Sequence, residues 1–125
     1  MPEAEKDISH SPNGETFLLP LDTEYEKEYM RLKELAAKQR ELGREIVVVM
    51  GIGFVGAVMA GVVADSVDAK GNPAKFVIGM QRPSTRSYWK IPYLNRGIAP
   101  VDAEDPEVAP MIKRCVLDKK TLTAT

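Results

Sequence analysis

The sequence predicts an α/β fold built on a partial parallel sheet of about three strands, with an extra helix ahead of it. Three observations carry this. The apolar run Ile46-Val47-Val48-Val49-Met50 leads straight into Gly51-Ile52-Gly53-Phe54-Val55-Gly56, and then into a stretch of apolar and small residues from Ala57 to Ala64. A second short apolar strand, Lys75 to Met80, follows a turn-rich connection from Asp68 to Ala74. A third strand begins at Thr121. A helix between two short apolar strands is a βαβ unit, in which the strands run parallel and the crossover is right-handed.

The rest of the chain divides by composition. Residues 1–21 are polar, carry Pro12, Pro20 and the only histidine, His10, and read as a flexible tail with His10 solvated. Residues 22–44 are dense in Glu, Lys, Arg, Leu and Ala, which favour helix. Asp22 or Thr23 is placed to cap this helix and Gly43 to end it. Tyr25, Tyr29, Leu32, Leu35, Ala36 and Leu42 fall near one face, so the helix is amphipathic and needs a surface to cover. That surface is its own domain or a partner helix in a dimer. Residues 45–125 then form the sheet domain. Within it, Gln81 to Pro92 is a polar loop with a short helix around Ser87 to Asn95. Pro106 to Val116 forms a further helix, with Asp105 as N-cap and Pro110 early enough to be tolerated.

Bulk composition narrows the function classes. At 125 residues the chain is one domain. Its 17 basic and 18 acidic side chains nearly balance, which argues against a nucleic-acid partner. One cysteine, Cys115, excludes an intrachain disulfide and suits the reducing cytoplasm. The longest apolar run, Ile46 to Ala64, has about the length of a membrane span, but its glycines punctuate it at motif spacing, so no membrane partner is expected.

The glycine spacing has a chemical reading. In a strand-turn-helix, G-x-G-x-x-G gives each glycine a separate task at a dinucleotide pyrophosphate, and the arrangement is Rossmann-like. Gly51 permits the tight turn, Gly53 leaves room for phosphate, and Gly56 lets the helix pack closely. The helix N-terminus presents unpaired N–H groups to the anion.

Further landmarks extend this. Gly51-Ile52-Gly53-Phe54-Val55-Gly56 resembles the G-x-G-[YF]-V-G of the nucleotide-sugar dehydrogenases, the UDP-glucose/GDP-mannose dehydrogenase family, in their N-terminal NAD-binding domain. Leu94-Asn95-Arg96-Gly97-Ile98-Ala99-Pro100 resembles that family's L-N-x-G-x-x-P. Glu104-Asp105-Pro106-Glu107-Val108 is similar to its E-x-G-L segment without the glycine, and Leu122-Thr123-Ala124-Thr125 to its L-x-A-T. These landmarks stand in the family's order over about 80 residues, from Ile46 to Thr125, and residues 1–45 have no counterpart.

The resemblance implies an enzyme that oxidises the C6 hydroxymethyl of a UDP- or GDP-hexose to the carboxylate with two hydride transfers to NAD, for polysaccharide biosynthesis. A cysteine holds the intermediate covalently in such enzymes. That cysteine belongs to the sugar-binding part, beyond residue 125, so the nucleotide-sugar substrate is met there and no catalytic residue is assigned here. Cys115 reads as a packing residue, and the chain as a fragment inactive alone. The alternative is a non-catalytic dinucleotide-binding or structural module acting through a partner. A first strand left as an open apolar edge also points to a homo-oligomer, unless the N-terminal helix covers it.

The glycine motif and the resemblance together give the cofactor positions as Gly51, Gly53, Phe54, Val55, Gly56, Gln81, Arg86, Lys90 and Thr125, with Arg82 added as the cation next to Gln81 and no metal ligand. NAD sites place a carboxylate at the end of the second strand. Here the family's G-x-D falls on Gly79-Met80-Gln81, and Arg82 follows. Gln81 can still hydrogen-bond a ribose hydroxyl through its amide, so NAD is the expected cofactor; it lacks the charge that repels a 2′-phosphate and stands beside Arg82, which leaves NADP as the competitor. Lys90 fits a basic position near the cofactor's phosphate and ribose, with Arg86 as runner-up. Tyr88 and Trp89 stack on a base or pack internally. Thr125, at a chain end, is expected to fray.

Overall fold

The structure is a computed structural model and describes residues 8–102 and 105–125, so Glu104 of the acidic segment lies outside the described residues. Its centre is a parallel sheet of β3 (Glu45–Met50), β4 (Lys75–Met80) and β5 (Leu122–Ala124), in the order β3-β4-β5. The register pairs Val47 with Val77 and Val49 with Gly79, and Ile78 with Thr123. This is the partial Rossmann-like α/β arrangement that the sequence predicts.

Alternation along each strand gives the sheet two different faces. Val49, Val77, Leu122 and Ala124 join the core beneath α2 (Phe54–Asp65), which buries Ala57, Ala60 and Ala64. Those alanines leave the helix axis free to approach the strands. α4 (Val108–Lys113) packs on the same helix through Met111 and Ile112, close to Gly61. Pro110 is the third residue of α4, where its missing N–H costs no helical bond. The helix expected to reach Val116 instead widens into a π turn over Arg114–Asp118, which closes with the Lys119 N–H on the Arg114 carbonyl (2.7 Å). At the end of α2, Asp65 accepts two hydrogen bonds from Arg114 (2.9 and 2.7 Å) and one from Lys119 (2.8 Å), and so ties α2 to that turn.

The opposite face carries α1 (Asp22–Glu41). Arg31 reaches from it to Thr123 Oγ1 (3.3 Å) and the Ala124 carbonyl (3.2 Å). The stripe turned inward runs through Glu28, Leu32, Leu35, Ala36 and Gln39, while Tyr29 and Leu42 stay exposed. This corrects the apolar face expected from the sequence. Gln39 is buried because its amide accepts from Arg44 (2.6 Å), a pairing that hydropathy does not register. Neither Asp22 nor Thr23 caps the helix by side chain, and the N-cap position falls on Leu21. Gly43 does end it, with the Gly43 and Arg44 N–H groups returning to the Arg40 and Gln39 carbonyls. α1 leaves β3 partly uncovered: Val48 and Met50 stay exposed, and β3 pairs with β4 alone among the described residues.

Residues 8–18, placed in the polar tail by composition, form a hairpin of β1 (Ile8–His10) and β2 (Thr16–Leu18). The hairpin docks on α3 (Lys90–Asn95) and the residue before it. Ser9 Oγ accepts the Trp89 N–H (3.0 Å), Glu15 pairs with Arg96 (3.0 Å), and Phe17 meets Tyr93 edge-on. Polar side chains make most of these contacts, so apolar periodicity could not signal them.

Candidate functional site

The C-terminal end of the sheet holds the candidate site. Where β3 ends, Gly51 turns the chain at φ +87°, a conformation that any side chain would strain, and its N–H bonds the Met80 carbonyl (2.6 Å). Gly56, in the first turn of α2, lies against that same peptide. A Cβ there would collide with the Gly51 carbonyl oxygen and stand 2.8 Å from its carbon. Gly53 is the reverse case: nothing lies within 4 Å of where its Cβ would be. The helix N-terminus opens onto that free space, and the N–H groups of Phe54, Val55 and Gly56 have no helical carbonyl behind them. Phe54 and Val55 extend their side chains to solvent at the mouth of the turn.

Gln81 stands at the end of β4 and is fixed at both ends of its amide. Its Oε1 accepts the Ile52 N–H (2.9 Å), and its Nε2 donates to Ser87 Oγ (3.1 Å). It therefore holds the glycine turn to the loop after β4. Thr125 does not fray: its N–H bonds the Gly79 carbonyl (2.9 Å), its carbonyl accepts from Gln81 (2.9 Å), and its hydroxyl donates to Glu28 (2.7 Å). Chain ends fray when no ladder holds them, and here β4 and α1 both do.

A cleft of about 370 Å³ opens at this end of the sheet, between α1 and the loop after β4. Gln81 and Thr125 line it, with Met80, Tyr88 and Ile91 on one side and Glu24, Tyr25 and Glu28 on the other. The Arg31 guanidinium beside Glu28, with the Thr125 hydroxyl, holds that carboxyl below its usual range. Burial pushes the Tyr88 phenol up, and the carboxylates of Glu24 and Glu28 push it further.

The other basic positions assigned from the sequence lie apart from the cleft wall. Arg82 and Arg86 are exposed and do not line it. Lys90 is half-buried, with its ammonium 5.9 Å from the centre of the Trp89 ring. Trp89 packs edge-on against Tyr93 (5.1 Å) and donates from Nε1 to the Arg86 carbonyl (2.9 Å), so of the two aromatic neighbours only Tyr88 faces the cleft. Cys115 is fully buried beneath α2, and burial raises its thiol pKa.

Two contributions escaped the sequence. Asn95 clamps β5 as a neighbouring strand would: its Oδ1 accepts the Ala124 N–H (2.8 Å) and its Nδ2 donates to the Ala124 carbonyl (3.1 Å). The L-N-x-G motif marked the residue without its task. The α1 side of the cleft had no signal, because acidic residues one turn apart are ordinary on a solvated helix.

No protein-family profile and no curated protein matches the chain. Among solved structures it is similar to the NDP-N-acetyl-D-galactosaminuronic acid dehydrogenase from Methanosarcina mazei Go1, at 32% identity and a TM-score of 0.55. The match covers 73% of this chain, and the chain spans 18% of the length of that dehydrogenase. No helix among the described residues is long and apolar enough to cross a membrane. In three-dimensional structure as well as in its motifs, the chain resembles part of a nucleotide-sugar dehydrogenase.

Proposed function

We propose that this chain is the cofactor-binding part of a nucleotide-sugar 6-dehydrogenase, which oxidises a UDP- or GDP-linked hexose to the uronic acid with NAD. The observation that carries the reading is the pairing of Gly53 with Gly56: open space in front of a helix N-terminus, beside a contact that only glycine permits. The residues present fit a dinucleotide. Gly51, Gly53 and the N–H groups of Phe54, Val55 and Gly56 would take the pyrophosphate, and the cleft at Gln81 and Thr125 would take the adenosine end. Bound NAD would supply the hydride acceptor.

The chain's own contribution is binding and orientation. The helix N-terminus would turn its N–H donors toward the phosphates, and Gln81 fixes the turn that carries them. Cys115 is enclosed and cannot present a thiolate to a substrate aldehyde, so the sugar and the covalent step belong to a further part of the enzyme. The open edge of β3, with Val48 and Met50 exposed, supports self-association.

A calorimetric titration with NADH and NADPH tests the reading. Saturable NADH binding that is lost in Gly53→Val supports it. No binding of either nucleotide by the folded chain leaves a structural module and overturns it.

A further inference from the structure

We infer that α1 supplies the cofactor-selecting carboxylates of this site: Glu24 and Glu28 take the place of the acid that Gln81 lacks, and set NAD above NADP. The inference rests on the dinucleotide reading above and goes further, because it assigns selection to a helix with no counterpart in the resemblance.

The end of β4 has neither a charge nor a free acceptor of the usual kind. Gln81 is neutral, and its amide already holds Ile52 and Ser87, which leaves one N–H and one lone pair. Across the cleft stand two carboxylates one helical turn apart, Glu24 and Glu28. They differ in kind. Glu28 is hydrogen-bonded by Arg31 on one side and by the Thr125 hydroxyl on the other, which favours its charged form. Glu24 is exposed to the cleft and makes no side-chain hydrogen bond or ion pair among the described residues. It is the group free to accept from a ribose hydroxyl.

The space suits an adenosine. About 370 Å³ lies within the range of small-molecule sites. Tyr25, Pro83, Tyr88 and Ile91 offer flat or apolar surface to a base. Both carboxylates line the cleft and lie close enough to Tyr88 to add to the rise that burial gives its phenol pKa. A 2′-hydroxyl can donate to such a carboxylate. A 2′-phosphate would bring about two further negative charges against the unpaired Glu24 and against Glu28, whose own charge Arg31 partly offsets. Arg82, the cation that would have welcomed it, does not line the cleft.

The test is the affinity ratio for NADH over NADPH, measured by equilibrium titration on the whole chain and on Glu24→Gln, Glu28→Gln and the double variant. The unaltered chain is expected to favour NADH about tenfold or more. Glu24→Gln, which breaks no hydrogen bond or ion pair among the described residues, is expected to cut that ratio severalfold, and the double variant to bring it close to one. Far-UV circular dichroism on each variant checks that α1 is retained. Should Glu28→Gln loosen α1 through Arg31 and Thr125, the Glu24→Gln ratio decides alone. NADH binding with a ratio unmoved by Glu24→Gln, or an unaltered chain that prefers NADPH, overturns the inference and leaves the dinucleotide reading standing. Binding of neither nucleotide by the unaltered chain overturns both.

Discussion

Gly56 packs against Gly51 so closely that a Cβ on the first would enter the carbonyl oxygen of the second. The neighbour is backbone, so no rotamer change can relieve the clash. α2 would have to leave the turn, and with it Ala57, Ala60 and Ala64 would leave the core. The two glycines act as one structural unit, while Gly53 between them has no steric duty.

This separates the glycines experimentally. Gly56→Ala is expected to destabilise the fold by about 3 kcal/mol or more, because the added methyl overpacks against backbone and the shift of α2 exposes apolar surface. Gly53→Ala is expected to melt within a few degrees of the unaltered chain and to weaken dinucleotide binding about tenfold or more by filling the phosphate space. Thermal melts and a nucleotide titration on both variants check the pair. Equal melting temperatures would contradict the geometry.

Asp65 is expected to govern acid stability. Hydrogen bonds from Arg114, with Lys119 adding to them, hold its carboxyl far below the ordinary Asp value in the folded chain. The folded pKa is depressed relative to the unfolded one. The stability it contributes is therefore complete above about pH 4 and is lost as pH falls from there toward the folded value. Asp65→Asn should cost about 1–3 kcal/mol at pH 7 and progressively less below pH 4. Denaturant melts of both chains between pH 7 and pH 2.5 check this, and a difference that grows on acidification would refute it.

Cys115 is expected to be chemically silent. It is fully buried, its weak contacts are to the Gly61 carbonyl and Asp65, and burial raises its thiol pKa, so little thiolate forms near neutral pH. An aromatic disulfide reagent at pH 8 should label it only in denaturant or at the rate of unfolding. Fast labelling of the native chain would mean that the thiol is open to solvent, and would reopen it as a reactive group.

Where the sequence was legible and where it was not follows from the range of each interaction. The βαβ unit was readable because its signals are local: apolar runs for the strands of a buried parallel sheet, and small residues for a helix packed close to it. Glycine spacing likewise located the turn, since a conformation at Gly51 and a close approach at Gly56 depend on a few neighbouring residues. The motif resemblance added the order of the later landmarks, and the structural match to a nucleotide-sugar dehydrogenase bears out that resemblance.

Only the tertiary structure decided how distant polar groups meet. The hairpin docks through Ser9, Glu15 and Phe17 onto residues about 80 positions away, and Asn95 finds Ala124 across 29. Glu28 reaches Thr125 across 97, which brings α1 to the cleft beside Gln81. Hydrogen bonds and ion pairs need donor and acceptor within about 3 Å but set no period along the chain. The sequence by itself thus determined the sheet, its helix and the glycine turn, because backbone geometry and apolar burial repeat in register with the residues. Which charges stand around the cleft was settled by folding, because side chains from separate elements meet only when the elements pack.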